Sequence, residues 1–182
     1  MHLDEQAFLA VNRALSGDAA AAFFSAVSWL GNGAVLAAII VPLLFAFARE
    51  ALKSHLLPMV LAVAVGGLAV FAVKIACDRP RPPVHFAALG VEVRAPDGVP
   101  PDSSFPSGHA QTAFAAAVYL ALLFPRGALA FIALAALAGL SRVALGVHYP
   151  SDVIAGAALG SALSIAAFLI ARRIEQRRAS PG

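Results

Sequence analysis

The chain has 182 residues, of which 60% are hydrophobic and 13% are charged, and its formal net charge is +3. This composition lies outside the range of soluble globular domains, so it excludes an ordinary water-soluble protein and indicates an integral membrane protein. The length favours one domain over residues 1–182. The single cysteine, Cys77, excludes a disulfide within the chain.

Two short segments precede the first long apolar stretch. In residues 1–15 apolar side chains recur at helical spacing, which predicts an interfacial helix; these side chains are Phe8, Leu9, Val11 and Leu15. The next segment, Ala19–Leu30, is too short to cross a bilayer alone and ends at a Gly-Asn-Gly turn signal. We expect this segment to lie at the interface or to re-enter the membrane.

Five stretches without charged residues approach the length of a bilayer-spanning helix, which is about 20 residues. They are Ala34–Ala48, Leu56–Val73, Ala110–Phe124, Gly127–Leu140 and Val153–Ala171. The sequence therefore predicts an all-α fold, a polytopic membrane bundle of about five transmembrane helices with N-terminal interfacial or re-entrant helices.

The charged residues between these stretches predict the orientation of the bundle. One side carries seven basic residues, and they are Arg49, Lys53, Arg126, Arg172, Arg173, Arg177 and Arg178. The same side carries only two acidic residues, Glu50 and Glu175. Because cytoplasmic loops are enriched in Lys and Arg, we expect this side and the C-terminus to be cytoplasmic.

Three polar clusters interrupt the apolar sequence, and the predicted spans bring them to one side. The clusters are residues 74–82 (KIACDRPRP), 106–109 (PSGH) and 141–152 (SRVALGVHYPSD). Lys74 and Arg142 end predicted spans, whereas Ser107 and Asp152 open them. All four ends face the outer side, so the alternation of spans predicts one shared site there.

Three cations of these clusters, Lys74, Arg81 and Arg142, lie beside hydrocarbon, where one charge costs roughly 2.5–3.5 kcal/mol. They therefore need a counter-ion. A structural ion-pair network with Asp78, Asp102 or Asp152 would supply one. The planar fork of Arg and the point charge of Lys suit phosphate better, so we favour an anionic ligand.

The PSGH cluster predicts the start of a helix. Ser107 is a candidate N-cap, and the free amides of the first turn favour phosphate binding. Gly108 lets a ligand approach the backbone. An ordinary capped helix with an incidental His109 is the alternative.

His148 and Asp152 are four residues apart, which lets the carboxylate orient the imidazole if the segment turns. The histidine is then a nucleophile, or it only caps a loop. We expect no metal ion, because the cationic surroundings repel one and the other histidines form no ligand pairs. These other histidines are His2, His55 and His85.

Together the clusters resemble the type 2 phosphatidic acid phosphatase superfamily. Six residues separate Lys74 from Arg81-Pro82, PSGH follows, five residues separate Ser141-Arg142 from His148, and three separate His148 from Asp152. The resemblance implies that His148 attacks phosphorus with help from Asp152, while His109 protonates the leaving oxygen. It also implies that the phosphoryl oxygens are held by Lys74, Arg81, Ser107, Gly108 and Arg142, with no cofactor. Asp78 and Arg79, inside the first motif, rank below these residues.

The compact chain looks like the small bacterial undecaprenyl-diphosphatases, which implies hydrolysis of undecaprenyl pyrophosphate for cell-wall carrier recycling. A phosphatase for phosphatidic acid or phosphatidylglycerol phosphate is the alternative, and a lipid transporter or non-catalytic binding protein is a further one. We expect the bacterial inner membrane, an active site facing the periplasm or outside, and membrane lipids rather than nucleic acid as partners. The sequence leaves the oligomeric state open.

Two further segments carry predictions. Residues 83–105 form a proline-rich loop that either roofs the site or only connects two spans. Small residues recur every four positions at Gly156, Gly160 and Ser164, which permits close helix contact. We favour packing within the monomer over dimerisation for this stripe.

Overall fold

The computed structural model describes residues 2–179, and these residues form eight α-helices, two short 3₁₀ turns and no strand. The helices are α1 Leu3–Ala14, α2 Asp18–Ser28, α3 Gly33–Phe47, α4 Arg49–Cys77, α5 Pro82–Ala87, α6 Gly108–Leu123, α7 Ala128–Ala144 and α8 Pro150–Ala179. The predicted all-α fold is confirmed. All five predicted apolar stretches fall on helices, namely α3, α4, α6, α7 and α8.

The predicted count of about five spans stays a prediction. By length and composition three segments can cross a membrane: Arg49–Ala87, Pro125–Ala144 and Pro150–Arg178. A fourth is possible where α2 and α3 meet at an angle of 68°, as a broken span or a re-entrant loop. The central helix α6 has only 16 residues, about 24 Å at 1.5 Å per residue. It is short because the PSGH cluster begins it and Pro125 follows its end.

Helix α6 lies at the centre, in contact with α3, α4, α7 and α8. The small-residue stripe of α8 packs on it: a Cβ on Gly156 would lie 2.3 Å from the carbonyl oxygen of Ser107, and one on Gly160 would also strike the α6 backbone. The Ser164 hydroxyl donates a hydrogen bond of 2.6 Å to the carbonyl of Ala115. The stripe therefore packs within the monomer, as the sequence predicts.

The apolar side of α1 packs against the protein. Phe8 is fully buried, with its ring centroid 5.6 Å from that of Phe86 and 5.5 Å from that of Tyr149. The Asn12 side chain donates hydrogen bonds of 3.0 Å to the carbonyls of Arg94 and Ala144. The predicted helix is present, but its buried side chains fasten it to the ends of α7 and α8.

The predicted turn after α2 is also present. Asn32 is the N-cap of α3, and its side-chain oxygen accepts hydrogen bonds from the amides of Ala34 and Val35, at 3.0 and 3.2 Å. This cap explains the sharp bend between α2 and α3, since it begins a new helix directly after the 3₁₀ turn.

A buried polar contact marks the end of the bundle with the excess of basic residues. His55, near the start of α4, lies 3.4 Å from a carboxylate oxygen of Glu175, near the end of α8. The other ring nitrogen of His55 is 3.0 Å from the hydroxyl of Tyr119. The arginine-rich part of α8 therefore lies beside the start of α4, at the end of the bundle opposite to Lys74.

Candidate active site

Lys74 and Arg81 share one carboxylate. Lys74 lies in the last turn of α4, and Arg81 is the residue before α5. The Asp102 carboxylate is 2.8 Å from the Lys74 ammonium and 2.5 Å from Nη2 of Arg81, while Arg81 Nε donates to the Asp102 carbonyl at 3.0 Å. Lys74 also donates to the Ser103 carbonyl. The loop of residues 88–107 therefore lies directly on the two cations of the first motif.

The charge of Asp102 follows from these contacts. Burial alone would raise its pKa, but hydrogen bonds and positive charge from Lys74 and Arg81 lower the pKa of Asp102 to about 2. An ion-pair network, the alternative to an anionic ligand, is thus present for Lys74 and Arg81. The structure also shows that residues 82–87, predicted as the end of the first polar cluster and the start of the loop, form the short helix α5 instead.

His148 lies in the turn between α7 and α8. The amides of Val147 and His148 donate to the carbonyl of Arg142, at 3.1 and 3.2 Å, and Gly146 adopts a φ of +76°, which favours glycine. Nη1 of Arg81 donates to the Val147 carbonyl at 2.8 Å and lies 3.3 Å from Nε2 of His148. The turn thus holds Nε2 of the imidazole beside a guanidinium.

The other imidazole nitrogen, Nδ1, lies 3.4 Å from Oδ2 of Asp152, within ion-pair distance but without the alignment of a hydrogen bond. Burial lowers the pKa of His148 to about 4, and the charge of Arg81 adds to this effect while Asp152 opposes it. The neutral form of the imidazole is therefore favoured at pH 7, and it keeps a lone pair on one ring nitrogen, as a nucleophile requires.

Asp152 is fully buried in the first turn of α8. Its Oδ2 accepts a hydrogen bond of 2.8 Å from the amide of Tyr149, and its Oδ1 accepts one of 2.5 Å from Nη1 of Arg79. Both carboxylate oxygens are therefore held in place.

The PSGH segment starts α6 as predicted. Ser107 is the N-cap, and its side-chain oxygen accepts from the Ala110 amide at 3.4 Å. The Ser107 amide donates to the carbonyl of Asp152 at 3.0 Å, which joins the start of α6 to the start of α8. The amides of Gly108 and His109 precede the first helical bond, from Gln111 to Ser107, so they belong to the positive end of the helix.

Arg142 lies in the last turn of α7 and is only 9% exposed. Its Nε is buried without a hydrogen-bond partner among residues 2–179. A buried guanidinium donor without a partner is costly, so an anion that binds here would gain a strong hydrogen bond. Arg142 differs in this respect from Lys74 and Arg81, which already pair with Asp102 of the loop.

The predicted site residues meet at one end of the bundle. His109 lies within electrostatic range of four of them, namely Arg142, His148, Arg81 and Lys74. The His109 backbone also packs closely on the turn after α2, since a Cβ on Gly31 would lie 2.6 Å from the Cβ of His109. Asp78, which the motifs rank below the signature residues, is the C-cap of α4 with a left-handed φ of 38°.

Sequence reasoning missed three contributors to this end of the bundle. From the motifs Arg79 ranks below the signature residues, and no motif assigns a role to Asp4 or Ser151. Arg79 donates to Asp4 at 2.7 Å and to Ser151 at 2.8 Å. Its guanidinium also lies 4.0 Å from the ring centroid of Tyr149. Arg79 and Ser151 flank motif positions, but no spacing rule connects Asp4 to residues about 150 positions away.

The fold and the site define a helical membrane protein in which His109, His148, the start of α6 and buried basic residues lie at one end. Residues 55–176 match the PAP2 superfamily, and the chain belongs to that superfamily. The matched region contains all three motifs and extends over more than half of the chain.

Known relatives carry several names. A lipid A 1-phosphatase of Rhizobium johnstonii is 45% identical over 112 residues, which are 61% of this chain and 46% of the relative. An undecaprenyl-diphosphatase of Sulfolobus acidocaldarius is 48% identical over 66 residues, 36% of this chain and 32% of the relative. This chain therefore aligns with less than half of either curated relative.

Among solved structures, the crystal structure of Aquifex aeolicus LpxE superposes with a TM-score of 0.76 and 30% identity. The superposition covers 92% of this chain and 95% of that chain. The covered share is therefore larger than residues 55–176, which match the superfamily.

Proposed function

We propose that the protein is a membrane lipid phosphatase that acts through a phosphohistidine on His148. The observation that supports this proposal best is the environment of His148. Its ring is neutral, with Nδ1 at the buried Asp152 carboxylate and Nε2 beside a guanidinium of Arg81. A nucleophile oriented by a carboxylate and surrounded by cations is suited to attack on a phosphoryl group.

In the proposed first step, Nε2 of His148 attacks phosphorus and a P–N bond forms as the P–O bond to the lipid breaks. Burial and the charge of Arg142 lower the pKa of His109 to about 4, so His109 must gain a proton when the negatively charged phosphate binds, and it then donates this proton to the departing oxygen. In the second step, His109 accepts a proton from water, which attacks phosphorus and breaks the P–N bond. Phosphate leaves and His148 is regenerated, so the cycle consumes one water molecule.

The cations and the helix start would stabilise the charge that develops on the phosphoryl oxygens. Arg142 has a buried donor available, and the amides of Gly108 and His109 belong to the positive end of α6. Lys74 and Arg81 each hold the loop through Asp102 and keep further N–H groups for a ligand. We expect the reaction to need no metal ion, and activity in EDTA tests this.

Two lipids are candidate substrates. The sequence favours undecaprenyl pyrophosphate, and the undecaprenyl-diphosphatase match over 66 residues supports it. Lipid A is supported by the longer match to a lipid A 1-phosphatase, over 112 residues. In either case the head group would enter the polar end of the bundle while the apolar chains remain in the bilayer. The positive-inside pattern supports a site on the outer face of the cytoplasmic membrane.

Phosphate release by purified protein in detergent with EDTA tests the proposal. We would offer undecaprenyl pyrophosphate, lipid A, phosphatidic acid and phosphatidylglycerol phosphate side by side, with His148→Ala as the control. Release that depends on His148 supports the phosphatase, and the ranking of rates selects the lipid. No release from any of the four lipids by wild-type protein would contradict the proposal.

A further inference from the structure

The first helix brings a carboxylate to the start of α8. The amide of Ser151 donates to Oδ1 of Asp4 at 2.9 Å, and the Ser151 hydroxyl donates to Oδ2 at 2.5 Å. Asp4 lies outside residues 55–176, the part of the chain that matches the superfamily. An acidic side chain from the N-terminal helix thus contacts the residue next to Asp152.

Arg79 connects this carboxylate to Asp152. One guanidinium nitrogen, Nη2, is 2.7 Å from Oδ2 of Asp4, and the other, Nη1, is 2.5 Å from Oδ1 of Asp152. The same Nη1 donates to the Ser151 hydroxyl at 2.8 Å, and the guanidinium lies over the ring of Tyr149. Arginine is suited to this position because its planar fork can bind two carboxylates at once.

The orientation of Asp152 depends on this contact. The Tyr149 amide holds Oδ2, the oxygen that faces His148, and Arg79 holds Oδ1. If Oδ1 lost its donor, the carboxylate could rotate about its Cβ–Cγ bond and Oδ2 would move relative to the imidazole. The Arg79 guanidinium is in turn held by Asp4, by the Ser151 hydroxyl and by the ring of Tyr149, and of these three groups Asp4 carries the charge.

We infer that Asp4 and Arg79 are positioning residues for the reaction, which fix the Asp152 carboxylate against His148 and make α1 a part of the active site. This inference rests on the proposed function. Neither residue touches the reacting atoms, so both act through Asp152. The contacts of α1 explain why a helix outside the signature motifs is held at this end of the bundle.

A purely structural role for Asp4 would be to fasten α1. The helix has other attachments, however, since Phe8 is fully buried and Asn12 makes two buried hydrogen bonds. Asp4→Asn also keeps the shape of the side chain and its Oδ1 acceptor for the Ser151 amide. We therefore expect this variant to fold, with the charge and the second acceptor for Arg79 removed.

The experiment compares Asp4→Asn, Arg79→Gln and the double variant with wild type and with Glu5→Gln. Glu5 is a matched control, because it is a carboxylate on the same helix that pairs with His85 instead, at 3.1 Å. For each protein we would measure kcat and KM with p-nitrophenyl phosphate and with a phosphorylated lipid, and the unfolding temperature in detergent.

We expect Asp4→Asn and Arg79→Gln each to lower kcat about tenfold, with KM changed by less than about twofold. The loss should be equal for both substrates, because a misplaced nucleophile slows attack whatever the leaving group. The double variant should be no worse than Arg79→Gln, since the two residues act as a unit. Glu5→Gln should keep wild-type kcat and an unfolding temperature similar to that of Asp4→Asn.

Wild-type kcat in Asp4→Asn, or losses that multiply in the double variant, would overturn the inference. A lower unfolding temperature with unchanged kcat would show a structural role only and would also overturn it. Failure of the proposed function is distinguishable, because wild-type protein itself would then release no His148-dependent phosphate.

Discussion

At the scale of single residues, the basic side chains of the site are of two kinds. Lys74 and Arg81 are paired with Asp102, whereas Arg142 keeps a buried donor without a partner among residues 2–179. The sequence alone does not separate the three, because each is a basic residue in one of the polar clusters. The difference arises from the loop before α6, whose path over the cations is set by tertiary contacts and not by a local pattern.

The ionisation of His148 gives one prediction at this scale. Because burial and Arg81 disfavour the imidazolium, the pKa of His148 lies below the usual value, at about 4. Protein labelled with ¹⁵N-histidine would be titrated in micelles, and the resonance that is lost in His148→Ala would be followed. We expect its midpoint well below pH 6.5, and a midpoint at or above 6.5 would contradict the neutral nucleophile.

The pairing of Asp102 gives a second prediction. Asp102→Ala would leave Lys74 and Arg81 without their counter-ion, and Arg81 is only 5% exposed. The loss of one partner of a fully buried pair costs about 3–5 kcal/mol, but the Asp102 side chain is half exposed, so we expect about 1–2 kcal/mol. Thermal unfolding in detergent should show a lower midpoint than in Asp18→Ala, a control from an exposed pair. Equal midpoints would argue against this role.

At the scale of elements, the five apolar stretches predict their helices because charge-free segments of this length have few other structures in a bilayer. The start of α6 is likewise local, since it depends on Ser107 and the residues after it. The short helix α5 and the position of Asp4 cannot be predicted from the local sequence. They depend on contacts between distant segments, and α5 is also obscured by the prolines that begin it.

Close packing of α8 on α6 gives a prediction for one glycine. A Cβ on Gly160 would lie 2.2 Å from the carbonyl oxygen of Gln111, so Gly160→Ala must push the helices apart at a cost of about 1–3 kcal/mol. Gly67→Ala is the control, because a Cβ there meets nothing within 4 Å. The unfolding temperature should fall for Gly160→Ala and not for Gly67→Ala. An equal response would mean that α8 and α6 are not packed this closely.

At the scale of the whole molecule, the structure separates two ends. The end with the motifs holds His109 and His148, and the opposite end holds the basic residues near the start of α4 and the end of α8. The sequence predicts this separation because spans alternate in direction. The helices that carry the motifs meet in one site because α6 contacts α4, α7 and α8.

The single cysteine provides a test of orientation. Cys77 is exposed at the end of α4, near the site. In cells or right-side-out vesicles, a membrane-impermeant maleimide should label Cys77. In a Cys77→Ser background, Arg177→Cys should be labelled only after the membrane is permeabilised, because α8 should end in the cytoplasm. The reverse pattern would show that the active site faces inward.

The central claim is that His148 carries the phosphoryl group, and a trapped intermediate tests it most directly. His109→Ala would be mixed with p-nitrophenyl phosphate, whose good leaving group needs no proton, so phosphorylation proceeds while hydrolysis lacks its base. After rapid denaturation in alkali, mass spectrometry should find phosphate on His148 and nowhere else. No phosphoenzyme, or phosphate on another residue such as Ser107, would contradict the account.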